Sequence, residues 1–421
     1  MRDNPFRFEL TNELHARPFP TLKAPAQVIY LAIKTRNEGL RDHQAEQRHL
    51  FDLLDHFGAA KPDPDVTHYS GQLGRYRLKW ESHTEFVSYT VMIDNEDLGF
   101  ETPLTRVFPA DWLAGAPGER ISSAIIHIGL ADDPAQIRTF VDHHFVSESL
   151  AVSSVLDGAA VIAGDFRTDA AGNKRMAIFV PPETGPNRIG RIMQRLTEIE
   201  TYTTMSMLGL AMTRRVSPEL TRIDGALARV AEEMAKAESD PEDTLQALLQ
   251  IGADLEHLAG QNNFRFGATG AYAAIVNQRI EVLHEDRFEG RQTMGEFMMR
   301  RFDPAMRTVQ STERRVSDLA QRSMRAGNLL RTRVDVERSA QNQSLLESMD
   351  RRAAMQLRLQ HTVEGLSVVA ISYYALNLVL YLTGPLEKVL GLGKTELAAG
   401  ATPIVVLLVW LLVSRIRKHL E

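Results

Sequence analysis

Two uncharged apolar runs near the C-terminus decide the architecture: LSVVAISYYALNLVLYL from Leu366 to Leu382 and LAAGATPIVVLLVWLLV from Leu397 to Val413. A helix needs about 17 to 25 residues to cross a hydrocarbon core about 30 Å thick, and flanking residues can extend both runs to that length. A pair of buried core helices is the alternative, but core helices normally keep a polar face, and the second run has almost none. The runs predict a C-terminal transmembrane hairpin, 363–421, with spans at about 363–383 and 397–414.

Basic residues around the two runs predict the orientation of this hairpin. They precede the first span and follow the second, whereas the connecting loop holds only Lys388 and Lys394. The positive-inside rule therefore places both termini in the cytoplasm, with the chain in a bacterial inner membrane. Contact with lipid headgroups and exposure on a solvated helix face both explain the basic residues. They are Arg351, Arg352, Arg358, Arg415, Arg417 and Lys418.

Polar residues of the first span fall on one side of the predicted helix. At about 100° per residue, four of them lie within an arc of about 80°, and Glu364 lies about 60° beyond it. A polar side chain that faced lipid would lack hydrogen-bond partners, so this stripe should face protein or water. It predicts either hydrogen bonds between helices of an oligomer or the lining of a pore. The residues are Glu364, Ser367, Tyr374, Asn377 and Tyr381.

One long helix is predicted to lead into the first span. Prolines are absent between Pro304 and Pro385, and the residues ahead of the span are mostly good helix formers. We therefore expect a stalk at 303–362 that continues into the membrane as one helix over 306–382, more than about 100 Å long. Its apolar residues recur as in a packed stripe or coiled coil. They are Val309, Val316, Leu319, Leu330, Val334, Leu345, Met349, Ala353 and Leu357.

The chain before the stalk divides into two regions by its patterns. Residues 1–185 predict a cytoplasmic domain of α+β (α/β-type) class, and residues 186–302 predict a helical region. The strand-like runs are 26–34, 85–93, 122–130, 159–166 and 175–180, the last two joined as a hairpin, with helical patterns at 38–57 and 133–148. The middle helices are expected near 187–216, 218–238, 242–260 and 267–288, with a break at Ser217-Pro218.

One cluster in the N-terminal region carries candidate chemistry. On a strand, Glu81, His83 and Glu85 would share one face. Two carboxylates and an imidazole can bind a divalent cation or serve as acid and base. A solvated strand edge with side chains of mixed charge explains the same residues equally well. His15 and Arg17 could complete such a site or hold the N-terminus against the sheet. The sequence predicts no particular reaction, and a divalent cation is the one cofactor that these residues suggest.

Composition excludes several classes of protein. The net charge of −6, from 48 basic and 54 acidic residues, argues against binding nucleic acid over the whole surface. The absence of cysteine excludes disulfides, thiolate metal sites and cysteine nucleophiles. GLGKT at 391–395 matches the end of a phosphate-binding loop, but the earlier glycine of that motif is missing.

Four stretches resemble an uncharacterised bacterial family of membrane-anchored proteins, known as a domain of unknown function. They are NELHARPFP (12–20), WESHTEFVSYT (80–90), EIETYTTMSMLGLA (198–211) and the long run 329–378, and the similarity extends over essentially the whole chain. The layout also resembles CorA-type magnesium and cobalt channels, where a cytoplasmic α/β domain leads into a very long helix and five subunits enclose a pore. That resemblance implies a pentamer that transports a divalent cation. Of the Gly-Met-Asn motif of those channels, only Asn377 has a counterpart here, in YYALN at 373–377.

The sequence therefore predicts an oligomeric, two-span inner-membrane protein whose role is divalent-cation transport or a derivative of it. A membrane-anchored scaffold or regulator is the main alternative, with a cytoplasmic domain that binds a partner or ligand and no transport. An enzyme that uses the face of Glu81, His83 and Glu85 is a third interpretation. A transporter and a scaffold differ in the state of the polar stripe, which is hydrated in a pore and buried in a scaffold.

Overall fold

The computed structural model describes residues 3–4, 6–7, 11, 18–35, 41–64, 66–96, 99–236, 241–383 and 394–420. The chain divides into two compact units. The first comprises Met1–Ser239 and Gln246–Ala326, and the second comprises Asp240–Leu245 and Gly327–Glu421. A β-sheet lies in the first unit, and long helices follow it to the C-terminal helix, so the predicted α+β class is confirmed.

Nine strands form the sheet within the described residues. They are β1 (Ala26–Lys34), β2 (His68–Leu73), β3 (Tyr76–Ser82), β4 (Phe86–Asp94), β5 (Glu119–Leu130), β6 (Ala151–Val155), β7 (Ala160–Thr168), β8 (Lys174–Val180) and β9 (Asp286–Arg287). Their order is β2-β3-β4-β1-β5-β8-β7-β6-β9. The pair β5–β8 is parallel, and the other neighbouring pairs are antiparallel.

The five strands predicted from sequence are all present, as β1, β4, β5, β7 and β8. The predicted β7–β8 hairpin is also confirmed, and its turn is closed by Asp169, whose Oδ1 accepts hydrogen bonds from the amides of Ala171 and Asn173 at 2.9 and 2.8 Å. Strands β2, β3, β6 and β9 were not predicted. Their sequences (HYSGQL, YRLKWES, AVSSV and DR) are short or interrupted by polar residues, and tertiary pairing decides their conformation.

Three short helices accompany the sheet: α1 (His43–His56), α2 (Ala110–Ala114) and α3 (Pro134–His144). Helices α1 and α3 each begin after an aspartate that caps the first turn, since Asp42 accepts from the amide of Ala45 and Asp133 from that of Ala135. Both helices start and end inside the ranges predicted from sequence, 38–57 and 133–148. Leucines of α1 and Trp112 of α2 pack into one buried cluster with side chains of β1, β3 and β4.

Two long helices follow the sheet: α4 (Pro186–Ala235) and α5 (Pro241–Glu281). Helix α4 covers the other side of the sheet, because Ile29 packs in the cluster of α1 whereas Tyr30, its neighbour on β1, meets Thr201 of α4. Glycine permits close contacts on α4. A Cβ at Gly190 would lie 1.6 Å from the carbonyl oxygen of Pro20, and one at Gly209 would lie 2.3 Å from Thr269 Oγ1 of α5.

The predicted breaks inside these two helices are wrong. Helix α4 continues through Ser217-Pro218, and α5 continues through the glycine-containing stretch that was expected to separate 242–260 from 267–288. Burial overrides the local signals: Val216 and Leu220 flank Pro218 and are both buried, and Phe266 of α5 is buried beside Gly267. A glycine costs a helix only about 1 kcal/mol relative to alanine, which such packing offsets.

The long helix α6 (Met294–Thr383) comprises 90 residues. It is helical through the predicted end at Leu382, but it begins at Met294 and not at Met306, and Pro304 lies inside it. A capping box fixes the true start. Thr293 Oγ1 accepts from the amide of Glu296 at 3.1 Å, while the Glu296 carboxylate accepts from the amide of Thr293 at 3.0 Å.

The second unit contains most of the C-terminal part of α6 together with α7 (Lys394–Leu420). Every side chain from 335 to 363 is exposed. Helix α6 and residues Thr395–Ile416 of α7 are each long and apolar enough to cross a membrane, and only 6% of each apolar window is buried within the chain. Core helices of a monomeric globular protein are mostly buried, so that alternative does not fit these two helices.

Candidate functional site

The three residues of the candidate metal cluster do not lie on one strand. Strand β3 ends at Ser82 and β4 begins at Phe86, so Glu81 belongs to β3 while His83 and Glu85 lie in the turn. Glu81 Oε1 is 3.0 Å from Lys79 Nζ, and both side chains are buried. The His83 ring stacks on Phe86 at 4.3 Å between centroids, and its Nε2 is 3.3 Å from Ser88 Oγ.

Glu85 forms a buried ion pair with Arg265 of α5. The Arg265 side chain is 1% exposed, and its two terminal nitrogens lie 2.5 and 3.3 Å from the carboxylate oxygens of Glu85. Among the described residues, no group of three or more His, Asp or Glu side chains is arranged to hold a metal ion. Glu81 and Glu85 thus each have a cation from the same chain. A metal or ligand face here stays a prediction, and its other members, His15 and Arg17, lie outside the described residues.

Buried polar groups also join α4 to the sheet. The Lys174 ammonium is 2.8 Å from the Glu200 carboxylate, to which Ser122 Oγ also donates at 3.0 Å. The Thr201 and Tyr30 hydroxyls are 2.6 Å apart, and burial raises the pKa of the Tyr30 phenol far above its usual value. Because these groups are buried and pair with one another, they hold α4 in position on the sheet. The sequence could not indicate them, since each pair joins residues far apart in the chain.

The polar stripe predicted for the first span is only partly covered by its own chain. Tyr374 and Tyr381 are 71% and 86% exposed, and Ser367 and Asn377 are half-buried. Glu364 Oε2 lies 3.7 Å from Nδ1 of His361, one turn away on the same helix. The two tyrosines therefore project from the helix with most of their surface uncovered.

Helix α7 packs on the opposite side of the apolar segment of α6. Ser372 is 5% exposed and lies about 180° around the helix from Tyr381. Val368, on the same side, lines an apolar groove together with residues of α7. The α7 residues of this groove are Ala399, Thr402, Pro403, Val406, Leu407 and Trp410.

One continuous face of α6 joins the exposed apolar residues of the stalk to the polar stripe of the span. At about 100° per residue, its members lie within about 40° of a line drawn along the helix through Leu345. This continuous face comprises Leu345, Met349, Arg352, Gln356, Leu359 and Val363, followed by Ser367, Ala370, Tyr374, Asn377 and Tyr381. The four apolar members of the stalk are 56–67% exposed. The stalk part of the face is therefore mostly apolar, with Arg352 and Gln356 between its apolar members, and the part within the apolar segment of the chain is mostly polar.

A family model described as a protein of unknown function (DUF3422) matches residues 2–420. The chain belongs to this family. No curated protein and no solved structure matches the chain. The family supports the resemblance to an uncharacterised family over the whole chain, and its description carries no activity.

The basic residues expected at the membrane surface differ in their position on this DUF3422 chain. Arg351 and Arg358 lie about 120° and 140° from the line through Leu345, whereas Arg352 lies only about 20° from it. All three are exposed, as is Arg415. The side chains of Arg417 and Lys418 lie outside the described residues. Sequence reasoning grouped the three arginines of α6 together and missed that Arg352 shares the continuous face.

Proposed function

We propose that the chain is a membrane-anchored homo-oligomer that transports ions along its symmetry axis, with the continuous face of α6 turned towards that axis. The change of polarity along this face carries the proposal. In this proposal the face is mostly apolar where its surroundings are aqueous and mostly polar where its surroundings are hydrocarbon. Exposing either part would cost free energy: contact with the same face of other subunits removes the first cost, and other subunits together with water at the axis remove the second.

Exposure of the two parts of the face costs free energy for different physical reasons. Covering exposed Leu, Met and Val side chains in water stabilises by about 25 cal/mol for each Å² buried. In the hydrocarbon region, hydroxyl and amide groups without partners cost several kcal/mol each, so Tyr374, Asn377 and Tyr381 need protein or water beside them. Because α7 occupies the far side of the first span, the open side is the one available to other subunits.

The proposed arrangement has α6 on the inside and α7 on the outside, in a CorA-like layout of several subunits. Both termini are cytoplasmic in this proposal, since basic residues flank the two apolar segments, and the membrane is the bacterial inner membrane. Three charged residues of the stalk support the same arrangement of the helices. Glu347, Asp350 and Arg358 lie on the side away from the continuous face, where they would remain in water.

Ion flux into proteoliposomes tests the transport role. We expect the wild-type oligomer to pass ions and Asn377→Leu to lose most of that flux while it stays assembled, because the amide is the most polar group of the face in the apolar segment. Val369→Leu, about 120° away from the line through Leu345, is the matched control and should keep wild-type flux. A wild-type oligomer that passes no Mg²⁺, Co²⁺, K⁺ or Cl⁻ would refute transport.

A membrane-anchored scaffold is the second candidate, favoured by the bulk of Tyr374 and Tyr381. Two rings of tyrosine side chains could interlock around the axis and close it by hydrogen bonds worth about 1 kcal/mol each. In that case, Asn377→Leu should weaken the oligomer, and neither protein should transport any ion. The mass of the detergent-solubilised oligomer, measured beside the flux assay, separates the two candidates.

A further inference from the structure

We infer that the axis selects anions and excludes cations, and that Arg352 supplies the positive charge for this selection. The inference rests on the proposed function, because a ring of Arg352 side chains exists only if the continuous face of α6 lines an axis. It departs from the divalent cation expected from the CorA resemblance. The charge distribution along α6 carries it.

Arg352 lies on the continuous face between its apolar members. It is about 10 Å along the helix from Leu345 and about 16 Å before Val363, and it is about 20° from the line that joins them. Its side chain is exposed. The positions one turn away in either direction, 348, 349, 355 and 356, hold Ser, Met, Met and Gln, so its own helix offers no carboxylate to neutralise it.

Acidic residues avoid this face in the same part of the chain. Between 338 and 383 they are Glu347, Asp350 and Glu364, and each lies at least about 100° from the line through Leu345. The Glu364 carboxylate moreover lies 3.7 Å from the His361 ring. Arg338 shares the face with Arg352, although its guanidinium is 3.9 Å from the Glu242 carboxylate. The sum of charges on the face is therefore positive.

The polar members of the face suit an anion as well. Tyr374 and Tyr381 carry hydroxyl groups and Asn377 carries an amide, and all three can donate hydrogen bonds to an anion that has lost part of its hydration shell, whereas Ser367 Oγ donates to the carbonyl oxygen of Val363 at 2.8 Å. Rings of arginine or lysine are the usual device of anion-selective pores, and rings of aspartate or glutamate that of cation-selective ones. In a symmetric oligomer, the electrostatic potentials of equivalent arginines around one axis also add, and the positive sum concentrates anions at the entrance.

The test is the reversal potential of the reconstituted full-length protein in a planar bilayer under a KCl gradient. We expect it to lie on the chloride side, with a permeability ratio of chloride to potassium of about 10 or more. Arg352→Gln should lower that ratio at least about threefold, and Arg352→Lys should largely retain it. Arg351→Gln is the matched control, because it removes the same charge from the adjacent residue about 120° away from the line, and it should leave the ratio unchanged.

Three results would overturn the inference, each in a different way. A reversal potential on the potassium side refutes anion selection and leaves ion transport standing. Equal effects of Arg351→Gln and Arg352→Gln refute the role of Arg352. No current from a protein whose mass shows an intact oligomer refutes transport and anion selection together. The mass of each variant in detergent shows that a changed ratio does not come from a lost subunit.

Discussion

Replacing Leu345 and Met349 together by aspartate should dissociate the oligomer. The two side chains are 59% and 62% exposed in the single chain. Full burial of a Leu or Met side chain stabilises by about 1.5–3 kcal/mol, so covering the fraction that is still exposed contributes about 1–2 kcal/mol for each. The loss is about 2–4 kcal/mol per subunit, or about 30- to 700-fold in each association step, before the cost of burying the new carboxylates.

Light scattering of the detergent-solubilised protein measures this effect as a change in mass. The matched control is Gln343→Asp with Ala354→Asp, which introduces the same two charges about 160° and 180° from the line through Leu345 and should leave the mass unchanged. An unchanged mass for the Leu345 and Met349 variant, or dissociation of both variants, would refute the assignment of the continuous face.

The remaining predictions concern topology, the buried ion pair and pH. A single cysteine at Gly391 should react with an impermeant maleimide outside intact cells and one at Glu421 should not, and the reverse labelling would contradict the proposed orientation. Arg265→Met should lower the melting temperature strongly, because it leaves Glu85 buried without its cation, at a cost of about 3–5 kcal/mol. Adding Glu85→Leu should restore most of the lost stability. A double variant as unstable as the single one would contradict this reasoning. Burial lowers the pKa of His49, so below about pH 6.5 the unfolded chain binds more protons than the folded chain, and stability falls as the pH drops. His49→Gln should therefore reduce the slope of melting temperature against pH. An unchanged slope would contradict this effect of His49.

Apolar patterns predicted the longest elements of this fold. The runs of β1 and β5 are mostly apolar, and the segment predicted as the first span is helical to Thr383. The errors occur where packing outweighs a local signal. The pair Ser217-Pro218 is typical of the start of a helix. Buried neighbours on both sides nevertheless keep Pro218 inside α4. The start of α6 could have been found, since Thr293 and Glu296 have the spacing of a capping box.

The candidate sites divide in a similar way. The polar stripe of the first span depends on helical spacing within one element, so its geometry follows directly from the sequence. The partners of Glu81 and Glu85 depend on the fold. Arg265 is 180 positions from Glu85 in the chain, and no local pattern indicates that α5 brings it there. Helical spacing alone also predicts that Arg352 lies on the same face as Leu345, so the sequence was sufficient to find it.

Cysteine cross-linking in native membranes tests the central claim, that the continuous face of α6 meets its copies around an axis, most directly. The chain contains no cysteine, so each introduced thiol reports one position. We expect Arg352→Cys in the stalk and Tyr374→Cys in the first span to form cross-linked dimers with a short bis-maleimide. Arg351→Cys and Ser372→Cys, on other sides of the same turns, should remain monomeric on denaturing gels. Equal cross-linking at all four positions, or at none of them, would contradict the account.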